Sequence, residues 1–120
     1  MTPSEAILEF GQPLLRLLEA GAVRAAWRSA LEIVITTWNA LVLDEIQGGN
    51  GNLEEVQRML STLPPPSAAV FTAGVEALAE RKRTLFPGAR WMVGAWEVLG
   101  TKDERRLRVE VHAGPTPRDL

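Results

Sequence analysis

Residues 31–46 read LEIVITTWNALVLDEI, and the fold turns on whether they form a helix or a strand. Ile33, Val34, Ile35, Thr36 and Thr37 make a β-branched run of the kind that suits a strand. The longer pattern argues the other way. Val23, Trp27, Leu31, Val34, Trp38 and Leu41 recur in steps of four and three, the period of one helix face. No turn-forming residue interrupts residues 22–46, and a segment of that length is far longer than an ordinary strand. The reading is a long central helix over 22–46. From Leu31 onward it is apolar on nearly every side, so it should be enclosed by the rest of the chain. Asn39 lies inside the apolar run and must find a partner there, in backbone or in Thr36.

On the N-terminal side, Thr2, Pro3 and Glu5 have the arrangement of a capped helix start. Ile7, Phe10, Leu14 and Leu17 or Leu18 continue at helical spacing, with a kink or break expected at Gly11 and Pro13. On the C-terminal side, Gln47 to Gly51 is a loop. Asn52 and Glu55 then resemble a second capping box for a short helix through Val56, Met59 and Leu60. Pro64, Pro65 and Pro66 predict an extended link. Ser67 is positioned to cap a helix reaching about Leu85, which Pro87 and Gly88 terminate.

Beyond residue 90 the period changes to two. Residues 90–99 and 105–112 predict the two arms of an antiparallel β-hairpin. The return arm alternates cleanly, with Leu107, Val109 and Val111 on one face and Arg106, Arg108, Glu110 and His112 on the other. Taken as a regular strand, the first arm is apolar on both faces. Trp91, Val93 and Ala95 fall on one side, and Met92, Trp96 and Val98 on the other. One side can cover the helices, and the other then needs a further strand, helix or subunit. The fold class is α+β, about four helices followed by a C-terminal hairpin. Residues 1–112 form one domain and residues 113–120 a flexible tail.

Composition narrows the function classes. Of 120 residues, 46% are apolar and 23% charged, which is ordinary for a globular chain. Cysteine is absent, which excludes disulfides, thiolate metal sites and a cysteine nucleophile, and favours a cytoplasmic setting. With His112 the single histidine, no multi-histidine metal site can form. The apolar uncharged run Ile33 to Leu43 is too short to cross a bilayer, and the N-terminus has no basic-then-apolar signal. No cofactor, metal or membrane is expected.

Several local patterns invite a function and have a plainer explanation beside it. Asp44, Gly49, Asn50, Asn52 and Glu55 fall at calcium-loop spacing, but Ile46 and Gly48 supply no oxygen where two ligands are needed. Glu97 and His112 could pair across the hairpin; a lone histidine on an edge strand is more often solvated. Charge is split along the chain. Residues 1–80 hold 4 basic and 10 acidic side chains, and residues 81–120 hold 9 basic and 5 acidic. Arg81, Lys82, Arg83, Arg90, Arg105, Arg106 and Arg108 make a candidate patch for nucleic acid. The short helix, turn, longer helix and hairpin also follow the element order of a winged helix. Against this, cations in a helix's last turn are favoured by its dipole alone.

The expectation is a non-enzymatic, self-associating interaction module. It would form a homo-oligomer, or bind a protein partner, through Trp91, Val93, Trp96 and Val98. The alternative is a nucleic-acid-binding accessory protein that uses the basic patch.

Overall fold

The computed structural model describes residues 1–19, 27–100 and 106–115. Residues 31–46 are helical. They belong to the helix Trp27–Gln47, and the expected start at residues 22–26 lies outside the described residues. Five helices are present among the described residues: α1 (Pro3–Phe10), α2 (Gln12–Glu19), α3 (Trp27–Gln47), α4 (Gly51–Leu60) and α5 (Ser67–Leu85). A hairpin of β1 (Trp91–Leu99) and β2 (Arg106–Ala113) completes an α+β fold.

The N-terminal segment breaks where glycine and proline predict. Thr2 caps α1, its hydroxyl oxygen accepting the Glu5 amide at 3.2 Å. Gly11 ends α1, and its carbonyl starts α2 by accepting from the Leu14 and Leu15 amides. The corner packs tightly on α3. A Cβ at Gly11 would stand 2.8 Å from Val34 Cγ1, so only glycine fits without displacement. The break raises the helix count from about four to five.

Two helix starts differ from the expected caps. The loop into α4 is capped from outside, and Asn52 is helical rather than a cap. Asp44, in the last turn of α3, accepts the Asn52 and Leu53 amides at 2.9 and 3.0 Å. Helix α5 begins at Ser67 with no side-chain cap. The three prolines turn into it rather than extend. The carbonyls of Pro64 and Pro66 accept from the Ala68 and Val70 amides. Proline lacks an amide proton but keeps its acceptor, so it serves the first turn of a helix without breaking it.

Trp38 sits at the centre of the core, fully buried. Its ring meets Phe10 edge-on at 5.0 Å, Phe86 at 5.6 Å and Trp91 at 4.4 Å. Its indole N–H donates to the Trp91 carbonyl at 2.9 Å, which gives the buried donor a partner. Asn39, one residue on, pairs with the backbone of Val93 as a neighbouring strand would. Its Nδ2 donates to the Val93 carbonyl and its Oδ1 accepts the Val93 amide, both at 2.9 Å. Thus α3 holds β1 by three hydrogen bonds. Thr36 takes no part.

The hairpin departs from the expected pattern at one residue. Val93 pairs with Val111 and Ala95 with Glu110, so Gly94 is an extra residue, a β-bulge. A single extra residue reverses which side chains face which way. Trp91, Val93, Trp96 and Val98 pair with Ala113, Val111, Val109 and Leu107. All four therefore share the face that packs on the core. The two-faced apolar strand is corrected by this bulge: Ala95, Glu97 and Leu99 are left on the outer side and are exposed. At the far end, β2 runs through Ala113, and the Gly114 amide donates to the Arg90 carbonyl at 2.8 Å. Residues 116–120 of the expected tail lie outside the described residues. No described helix is long and apolar enough to cross a membrane.

Candidate interaction surface

The six described candidate cations do not form one free basic patch. Arg81 reaches to the end of α1, donating to the Glu9 carbonyl at 2.7 Å and to the Glu9 carboxylate at 2.8 Å. Lys82 is fully buried. Its ammonium donates to Glu45 at 2.7 Å, to the Ala89 carbonyl at 3.0 Å and to the Phe86 carbonyl at 3.2 Å, and lies 5.0 Å from the Trp38 ring. Three donors meet three acceptors, so the charge is matched inside the core. Arg83 pairs with Glu80 one turn away, and Arg108 lies 3.4 Å from Glu97 across the hairpin. Arg90 and Arg106 are exposed with no ion pair among the described residues. They stand at opposite ends of β1, and Arg105 lies outside the described residues. Three of these cations are answered by the acidic part of the chain: Glu9, Glu45 and Glu80 meet Arg81, Lys82 and Arg83.

Polar groups expected near one another are also separated. Glu97 stands opposite Arg108, while His112 stands opposite Met92. The His112 ring lies 2.9 Å from the neighbouring Ala113 carbonyl and is exposed. Glu97 and His112 therefore make no joint site. The oxygens of Asp44 are engaged with Asn52 and Leu53, and the Gln47 side chain also accepts from Asn52. The calcium-like spacing of residues 44–55 is the sequence of a helix cap. Among the described residues, no three acidic or histidine side chains are grouped to hold a metal.

Trp91, Val93, Trp96 and Val98 lie between the hairpin and the helices. Val93 is buried and the other three are half-buried against the core. The guanidinium of Arg28, on α3, covers the Trp96 ring at 4.8 Å. All four pack on the core, and Trp91, Trp96 and Val98 keep part of their surface open to solvent.

An apolar opening lies elsewhere, between α3 and α4. It is a groove of about 340 Å³. Ser29, Glu32, Ile33 and Thr36 line one wall, and Val56, Met59, Leu60 and Leu63 the other. The two walls share the spacing of three, four and seven residues; the first lies on α3, and the second on α4 with Leu63 just past its end. Asp44 helps to set the angle between the walls, because it fixes the start of α4 to the end of α3. Met59 stands on the rim, 60% exposed. An exposed methionine beside an apolar trough is the adaptable kind of contact that binding surfaces use. The trough was missed in the sequence because α3 reads as apolar nearly all round. The one signal for an open side was the pair Glu32 and Thr36, a turn apart on that helix.

No protein-family profile, curated protein or solved structure matches the chain.

Proposed function

We propose that this chain is a non-enzymatic, cytoplasmic protein-interaction module that holds an apolar segment of a partner in the groove between α3 and α4. The observation that carries the reading is the pair of matched helical stripes left facing an open trough, with Met59 on its rim. The apolar side chains of the hairpin, the expected binding face, pack on the core, which favours a binding surface on the helices. The absence of cysteine supports the cytoplasmic setting.

The test is a photoreactive amino acid placed at Met59 in the native cell. A discrete crosslinked species is expected, and it should vanish when Thr36→Arg closes the trough. The same reactive group at Glu76, exposed on α5 and away from the groove, should give none. Identical products from both positions, or no product from position 59, would contradict the proposal.

A further inference from the structure

We infer that the occupant of the α3–α4 groove is an amphipathic helix of a different protein, with apolar residues at i, i+3, i+4 and i+7 and lysine or arginine beside that stripe. The inference rests on the reading of the groove as a protein-binding surface and names what it selects.

The walls decide the conformation. All lining residues but Leu63 lie on helices, so the walls offer no strand edge to an extended peptide. A strand laid against them would leave its own N–H and C=O groups facing Ile33, Val56, Leu60 and Leu63 without partners. A helix satisfies its backbone internally and brings only side chains to the trough. The i, i+3, i+4, i+7 stripe is the pattern that a groove between two helices receives, because ridges of side chains fit between ridges.

The charge decides the flanks. Glu32 is the single ionisable group in the lining, and it has no ion pair among the described residues. Neighbouring cations are engaged elsewhere: Arg28 with the Trp96 ring and Arg58 with Glu55. Among the described residues, the groove therefore offers a carboxylate without an ion pair beside an apolar floor. A second copy docked groove to groove does not supply what is missing. In a two-fold packing each lining meets its own likeness, and the only lining charge it brings is another Glu32.

Two fluorescein-labelled helical peptides of about 15 residues test the inference. Both carry leucine at i, i+3, i+4 and i+7; one is flanked by lysine and the other by glutamate. By fluorescence anisotropy the lysine peptide should bind the wild-type chain more tightly. Glu32→Lys should lose about two- to fivefold in affinity for it and gain a similar factor for the glutamate peptide. Glu32 is exposed, so the fold should survive the change, which circular dichroism checks. Thr36→Arg should remove binding of both. Equal affinity for the two peptides, or a preference unchanged by Glu32→Lys, overturns the inference. So does binding of neither peptide while position 59 still crosslinks a partner, which would leave the groove reading standing. A dimer in light scattering that Thr36→Arg disperses would name a second copy as the occupant and overturn it too. No crosslink and no peptide binding would sink both readings together.

Discussion

Lys82 shows how far one residue's environment can depart from its type. In the sequence it sits between two arginines at a helix end and reads as part of a basic surface. In the fold it joins α5 to Glu45 of α3 and to the carbonyls of the turn before β1. Lys82→Ala removes the cation, orphans three acceptors and opens a cavity. It should cost about 2–4 kcal/mol in urea unfolding, the lower part of the range reflecting the partial access of Glu45 to water. A loss under about 1 kcal/mol would mean that the ammonium is not held as described. Asn39 makes a parallel case. Asn39→Leu leaves the Val93 amide and carbonyl without partners and should cost about 2 kcal/mol, with faster hydrogen exchange at Val93. Unaltered exchange there would contradict the strand-like pairing. Nothing local in the sequence foretells either contact, because the partners are 37 and 54 residues away.

At the scale of elements, the hairpin turns on Gly94. Deleting Gly94 restores a regular strand and rotates half of the apolar set away from the core. With two tryptophans involved, the loss should exceed about 3 kcal/mol and the near-ultraviolet circular dichroism should collapse. Gly94→Ala is the control. Its Cβ would meet the exposed His112 ring at 3.1 Å, a side chain free to move, so less than about 1 kcal/mol should be lost. Similar costs for the two changes would refute the bulge. The broad layout of elements was legible: helical spacing in α3, the glycine and proline break between α1 and α2, and alternation in β2 all carried through. The faces of β1 were not legible from alternation, which assumes an unbroken period of two. The lone glycine inside the strand was the available sign. The cap of α4 was hidden for a related reason. Asp44 stands eight residues before its partner Asn52, beyond the three-residue spacing that marks a capping box. Asp44→Ala should cost about 1–2 kcal/mol and loosen α4 first, seen as faster amide exchange at Asn52 and Leu53.

For the molecule as a whole, ion pairs join the acidic and basic parts, and the apolar face of the hairpin is turned inward. Two outcomes follow. Trp96→Asp should unfold the chain rather than release intact subunits, since Trp96 packs on the core. Labelled DNA and RNA at about 50 mM salt should show no saturable binding in fluorescence anisotropy, since Arg81, Lys82, Arg83 and Arg108 are already paired. The surface proposed for a partner is the α3–α4 groove. It was not readable in advance because it is made by the angle between two helices, and that angle is set by tertiary contacts. The chain has no cysteine, so Met59→Cys creates a unique thiol on the rim of the groove. The most direct measurement is its rate of alkylation in intact cells and in the purified protein, beside the same pair of rates for Glu76→Cys. A partner in the groove predicts slow labelling at position 59 in cells and fast labelling once purified, with position 76 fast in both. Equally fast labelling of position 59 in both settings would contradict the account.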